Sequence, residues 1–268
     1  LAATDPAATV ISEHSLQATE AGFALLQKFG IINLNDPAPS ITSVPPAALQ
    51  GRINKIEKQL FADKRQAALA NVVQLVADFP ESASAYRTLA IIANTPDQME
   101  KAKAVLAKLA AMAAAGDPTS NENQIIALLA TGNNELALSA AKAYLKLDPR
   151  SLTASMAAQA AAHILGLFNE FCQEAPRTLR LAGQRMPLQS AAIARHYAEV
   201  IHHDDAQKAG QLIVAATLLD GNRALTRARV SAVRHTMTWD HFDQAIDTAP
   251  VADEAQRKAL RLVLRTAF

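Results

Sequence analysis

The sequence predicts an all-α fold, and three observations support this prediction. The chain has 268 residues, only 9 Gly and 4% aromatic residues, and it is rich in Ala, Leu and Gln, which favour helices. Residues 125–151 form two apolar helical runs that are joined at Gly132 and end before Pro149, as in a helical hairpin. Features of this hairpin recur at a spacing near 34 residues, which is typical of helical repeats.

The hairpin at 125–151 has the side chains that a tight helical pair needs. Gly132 permits a positive φ at the bend, and Pro149 prevents the second helix from continuing. Ala137 and Ala141 are small enough to let two helices approach closely. We therefore expect Ala137 to lie at a helix–helix contact.

Equivalent small residues recur along the chain. Ala102 lies 35 residues before Ala137, and Ala68 lies a further 34 residues before Ala102. Pro80 follows Ala68 by 12 residues, as Pro149 follows Ala137. Ala209 and the stop at 219–222 keep the same offset, which predicts another hairpin there.

These residues resemble a known repeat family. Gly132, Glu135, the run 136–138 and the stop at 147–149 resemble the second half of a tetratricopeptide repeat (TPR). The run 85–90 is similar to the start of a TPR first helix, and 240–247 is similar to the bend that joins the two helices. The resemblance implies a right-handed α-solenoid of about five or six TPR-like hairpins over residues 51–268.

The N-terminal part differs from the repeats. Apolar residues between Ala7 and Phe29 recur at helical spacing, and Gly30 provides a stop, so an amphipathic helix is expected. Residues 33–46 contain four Pro and predict a linker or loop. Residues 1–50 are therefore predicted to be an N-terminal helix and a Pro-rich linker.

The remaining elements follow from apolar runs and their breaks. In the segment 151–187, Gly166 marks a bend, but Phe171 occupies the small-residue position and Pro176 is expected to interrupt the second helix. Further helices are predicted over 47–60, 64–79, 188–202, 206–219 and 223–235, on both sides of Pro250, and over 255–268 as a capping helix.

The TPR resemblance also implies a binding surface. In this family the first helices line a concave groove, and the matching positions imply a lining of donors, cations and apolar atoms that suits an extended peptide. The groove residues so implied are Arg87, Thr88, Ile91, Asn123, Ile126, His163, Arg195 and His202.

Charge points to one further candidate site. The 26 Lys and Arg nearly balance the 25 Asp and Glu, which argues against a general nucleic-acid binder. Arg223, Arg227 and Arg234 nevertheless fall on one side of a predicted helix that has no acidic residue. The row is a candidate anion-binding site, and its alternatives are three solvated arginines or ion pairs with a neighbouring helix.

No catalytic, metal or cofactor motif is present. The chain lacks a phosphate-binding loop, a G-x-S-x-G elbow, an H-E-x-x-H motif and paired Cys. The run 202–205 holds two His and two Asp, but adjacent helical residues diverge, so an inter-helix turn is expected instead. We expect a protein that is not an enzyme and that has no cofactor, no metal and no membrane span.

Protein or peptide binding by an assembly scaffold is thus the expected function. Two alternatives remain: the non-catalytic TPR portion of a larger enzyme, such as a glycosyl- or sulfotransferase, and a scaffold of envelope or polysaccharide export machinery. The chain starts at Leu1 without a Met, which leaves a cytoplasmic, periplasmic or secreted location open. The partner's identity and the oligomeric state are also open.

Overall fold

The structure is a computed structural model that describes residues 16–33, 39–40, 47–93, 95–111, 118–183, 186–251 and 254–268. Helices account for 79% of this part of the chain, which contains no strand, so the all-α prediction is confirmed. Its fourteen helices are α1 (Thr19–Lys28), α2 (Ala47–Phe61), α3 (Arg65–Asp78), α4 (Ala83–Ile92), α5 (Pro96–Ala111), α6 (Pro118–Ala130), α7 (Asn134–Leu147), α8 (Leu152–Ile164), α9 (Phe168–Ala182), α10 (Pro187–Ile201), α11 (Ala206–Asp220), α12 (Arg223–Val233), α13 (Trp239–Thr248) and α14 (Glu254–Arg265).

The helices belong to two compact units. Of the described residues, unit 1 contains those within 1–36 and 171–268, and unit 2 contains those within 37–170. α1 is thus in the same unit as the C-terminal helices, although a whole unit separates them in sequence. The predicted domain boundary between residues 50 and 51 stays a prediction.

In unit 2, each helix from α2 to α7 packs against the next one. The first helices of successive hairpins, α2, α4, α6 and α8, also contact one another in that order. The first and second helices share a core that is closed to water, with Ile56, Val72, Leu75, Ile92 and Leu106 all 0% exposed. This packing is compatible with a helical repeat, because each hairpin buries its apolar side against its neighbours.

Local sequence explains where these helices begin and end. Gly132 lies between α6 and α7 with φ at +81°, a value that side chains with a Cβ rarely adopt. The hydroxyl of Ser82 accepts a hydrogen bond from the Ala85 amide at the start of α4. α7 ends at Leu147, two residues before Pro149, as predicted. Ala137 is 0% exposed, as expected for a contact between helices.

Unit 1 is built around α11. Residues 212–219 of this helix are all buried, and it contacts α1, α10, α12 and α13. A helix that is apolar on every side needs neighbours on every side. The chain supplies one of them from its N-terminal end, since α1 packs on α11 and the Ala18 amide donates to the Leu218 carbonyl oxygen at 2.8 Å.

Two glycines allow the closest approaches to α11. A Cβ on Gly22 of α1 would lie 2.9 Å from Leu219 Cδ2, and one on Gly210 would lie 2.7 Å from the carbonyl oxygen of His241 in α13. Neither distance leaves room for a methyl group. Glycine at these positions therefore lets α1 and α13 reach the central helix.

Most predicted helices agree with the structure within a few residues. Those predicted over 47–60, 64–79, 188–202, 206–219 and 223–235 are α2, α3, α10, α11 and α12. The N-terminal helix begins at Thr19, and residues 7–15 of the predicted span lie outside the described residues. Most of the predicted linker at 33–46 also lies outside them.

The predicted interruption at Pro176 is wrong. α9 runs from Phe168 to Ala182 with Pro176 inside it. Proline removes one helical hydrogen bond, but Phe171, Ala175 and Leu179 follow one another at helical spacing and are all 0% exposed. Burial of this apolar side maintains the helix through the proline.

Candidate functional site

The first helices of unit 2, α2, α4, α6 and α8, contact one another in that order. On α4, Tyr86 and Leu89 are buried, whereas Arg87, Thr88 and Ile91 lie on the opposite, more open side of the helix. Ile91 is 63% exposed and lies one helical turn after Arg87 on this side. The structure therefore brings together the three α4 residues that the TPR resemblance implied.

Arg87 has an acidic neighbour on the preceding first helix. Glu57 of α2 and Arg87 are each half-buried and attract each other electrostatically. Burial raises the pKa of the Glu57 carboxyl, and the positive charge of Arg87 opposes that rise. Burial likewise lowers the pKa of Arg87, and the charge of Glu57 opposes that change. Each charge therefore partly offsets the effect of burial on the pKa of the other group.

Glu57 was not among the predicted groove residues, although the sequence contained a signal for it. Ile91 precedes the small residue Ala102 by 11 residues, and Glu57 precedes the equivalent Ala68 by the same number. The register that selected Ile91 selects Glu57 when it is applied one repeat earlier. Counting along the chain therefore places Glu57 at a groove position, whereas its proximity to Arg87 depends on the contact between α2 and α4.

We expect Arg87→Gln to raise the pKa of Glu57 further, since the cation that opposes the effect of burial is gone. When the folded-state pKa is above the unfolded-state pKa, the folded protein binds more protons than the unfolded protein at pH values between the two. The contribution of Glu57 to stability is then greatest below the unfolded pKa and falls as pH rises through the folded pKa. A carbon-detected NMR titration of the Glu57 carboxyl measures the shift.

Lys101→Gln provides the control for this titration, because it removes an exposed cation on α5 that does not affect Glu57. The pKa of Glu57 should be the same in this variant as in the parent. An unchanged pKa in Arg87→Gln would show that the two groups are not coupled.

The α6 residues of the predicted groove have structural contacts. The Asn123 side chain accepts a hydrogen bond from the Ala83 amide at 3.3 Å and donates to the Glu81 carbonyl oxygen at 3.4 Å. It therefore holds the N-terminal end of α4 against α6. Ile126 is half-buried and packs against the core of unit 2.

Two polar contacts support α8. Glu122 of α6 is only 7% exposed and accepts a hydrogen bond from the Ser151 hydroxyl at 2.8 Å. The same hydroxyl accepts from the Ala154 amide and caps the N-terminus of α8. His163 lies half-buried in the last turn of α8. The contact between Glu122 and Ser151 thus fixes the start of the helix whose other end carries His163.

Arg195 lies in the interior of unit 1 and is 3% exposed. Its guanidinium donates to both carboxylate oxygens of Asp220, at 2.6 and 2.7 Å. It also reaches the Ala216 carbonyl oxygen at 3.4 Å and the Thr226 hydroxyl at 3.5 Å. The side chain therefore joins α10, α11 and α12 inside the protein.

His202 is also in unit 1, at the C-terminal end of α10. Its Nδ1 lies 2.5 Å from the Thr236 hydroxyl, and its ring centroid lies 4.0 Å from that of His203. Burial lowers the pKa of His202, and the neighbouring His203 lowers it further. Because Thr236 donates to the Val233 carbonyl oxygen, neutral His202 can donate to the threonine oxygen through Nδ1.

The arginine row lies on α12. Arg227 and Arg234 are exposed, and Arg223 is half-buried at the first helical position. Arg234 directly follows the helix and keeps a helical backbone, with φ at −56° and ψ at −24°. The predicted alignment of the three residues along one side is therefore consistent with the backbone.

Comparisons with known proteins add no family to this description. A scan against protein-family models finds no match, and a search of curated proteins finds no match either. Among the described residues, no three His, Cys, Asp or Glu side chains are arranged to hold a metal ion. Within the same residues, no helix is both long and apolar enough to cross a bilayer.

Proposed function

We propose that the chain is a right-handed TPR-like solenoid that binds an extended segment of a partner protein and acts as an assembly scaffold. The observation that supports this proposal best is the packing of unit 2, in which α2, α4, α6 and α8 contact one another in order. A solenoid presents such a row of first helices as its binding surface. The motif at 125–151 adds support from sequence.

The proposed contact surface is confined to unit 2. Arg195 is buried against Asp220, and His202 contacts Thr236, so both side chains have roles within unit 1. The groove of unit 2 is instead defined by the open side of α4 and the adjoining first helices. Ile91 is the central apolar contact in this proposal, with Arg87 and Thr88 beside it.

The chemistry of α4 favours one type of ligand. An apolar side chain of the ligand would cover Ile91, and removal of this exposed surface from water stabilises the complex. Arg87 attracts Glu57, and those of its five N–H groups that face solvent can also donate to a ligand carboxylate. The Thr88 hydroxyl donates to the Ser84 carbonyl oxygen at 2.8 Å and can still accept from a peptide amide. A segment with one apolar and one acidic residue fits this set.

We expect Ile91→Glu to abolish capture of the partner from an extract of the source organism, as measured by pull-down and mass spectrometry. The substitution puts a charge where an apolar contact forms, and a loss of roughly 1.4 kcal/mol already weakens binding tenfold. Because Ile91 is 63% exposed, the variant should fold normally, which circular dichroism can check.

Leu147→Glu is the matched control for the pull-down. Leu147 is 78% exposed and lies on α7, a second helix, so the same change is made away from the proposed groove. Capture of the same protein by the parent and by Leu147→Glu, but not by Ile91→Glu, would support the groove. Equal capture by all three chains would contradict it.

A further inference from the structure

The arginine row on α12 lies at the edge of an open helix face in unit 1. Arg223, Arg227 and Arg234 are separated by 4 and 7 residues, so at 100° per residue they fall within about 40° of one another. Thr226 and Val230, on the adjacent side of the helix, are both 0% exposed. The row therefore borders the side by which α12 packs on its unit.

The acidic side chains next to α12 are already paired with other arginines. The helices that contact α12 are α10, α11 and α14, and each contains one acidic residue. The resulting pairs are Glu199–Arg229, Asp220–Arg195 and Glu254–Arg261. Neither Arg227 nor Arg234 forms an ion pair with any residue that the structure describes. Two exposed positive charges thus lack a counter-ion within that part of the chain.

The rest of the open face of α12 allows another helix to approach closely. Its exposed residues beside the arginine row are mainly small, namely Ala224, Ala228, Ser231 and Ala232. Leu225, on the far edge, is 40% exposed and offers an apolar contact. Small side chains let a second helix come near, and the arginines then lie along one of its edges.

We propose that this face, defined by Arg223, Arg227, Arg234 and the small residues beside them, binds an acidic helix of a partner protein. Charge complementarity decides the chemistry of the occupant, since Arg227 and Arg234 lack an ion pair within the described residues and α12 has no acidic residue. Arg227 and Arg234 are about 10 Å apart along the helix, so carboxylates seven residues apart on a partner helix match them. The inference does not depend on the groove of unit 2, because every residue of the face is in unit 1.

The test compares two double variants that lose the same charge at the same spacing. R227Q/R234Q removes the unpaired arginines, and K101Q/K108Q removes two exposed lysines, also seven residues apart, on α5 of unit 2. The probe is a fluorescent alanine-rich helical peptide with glutamates seven residues apart, and a second probe carries glutamines instead. Fluorescence anisotropy at 50 and 200 mM salt measures binding.

We expect the glutamate peptide to bind the parent and K101Q/K108Q equally and R227Q/R234Q roughly three- to tenfold more weakly, as suits two exposed charge pairs. Its affinity for the parent should fall as salt screens the charges. Ile91→Glu should bind this peptide as the parent does, which separates failure of this inference from failure of the groove proposal.

Three results would overturn the inference. Equal weakening in both double variants would assign binding to overall charge, and equal binding of the glutamine peptide would exclude recognition of carboxylates. Tighter binding of a single-stranded oligonucleotide, with the same dependence on Arg227 and Arg234, would assign the face to nucleic acid instead. Circular dichroism of both double variants confirms that each retains its helices.

Discussion

Asp220→Ala is expected to lower the free energy of unfolding of the region around α11 by about 3–5 kcal/mol, as is usual when one partner of a buried ion pair is removed. The substitution leaves the Arg195 guanidinium without its counter-ion at a site where the residue is 3% exposed. It also removes the acceptor of a hydrogen bond from the backbone N–H of Asn222, whose nitrogen lies 2.9 Å from Asp220 Oδ1. Urea unfolding monitored by circular dichroism measures the change.

Two control variants separate this effect from simple loss of charge. Glu100→Ala breaks the exposed pair between Glu100 and Lys103, and we expect a change below about 0.5 kcal/mol. The double variant Arg195→Met with Asp220→Leu removes both buried charges, and we expect it to recover most of the loss. A change in Asp220→Ala no larger than in Glu100→Ala would contradict the assignment of a buried pair.

Phe23→Ala is expected to destabilise unit 1 by about 3–5 kcal/mol, the range for a large aromatic side chain removed from a packed core. Phe23 is 0% exposed on α1, the helix that packs on α11. The cavity left by the ring weakens the contact that holds the N-terminal helix in its unit. Hydrogen exchange should become faster in α1 and α11, with the amides of α3 to α7 unchanged.

Phe168→Ala makes the same substitution at a phenylalanine that is 54% exposed. We expect it to cost under about 1 kcal/mol, because little buried surface is lost. Faster exchange throughout unit 2 in Phe23→Ala would mean that the two units unfold as one. Unchanged exchange in α1 would contradict its role as a packed neighbour of α11.

The candidate groove was predictable only in part. The α4 residues Arg87, Thr88 and Ile91 share the open side of one helix, and a register counted along the chain finds such residues. The same register predicts that Arg195 lines the groove. Its guanidinium instead contacts Asp220 and Thr226, which lie on two other helices. Whether an arginine faces solvent or an aspartate depends on contacts that spacing along one helix does not specify.

The sequence by itself determined the all-α class and most helix boundaries, because these depend on nearby residues. Gly132 at a bend, Ser151 as a cap and Pro149 after a helix act within a few residues of their own position. The composition also disfavours a strand-rich fold, since the abundant Ala, Leu and Gln favour helices.

Only the tertiary structure decided which distant elements pack together. It placed α1 on α11, kept α9 helical through Pro176 and paired Arg195 with Asp220. The physical reason is that burial depends on the apolar area removed from water, whichever part of the chain supplies the neighbour. Local propensity sets where a helix can form, and long-range packing decides what its side chains contact.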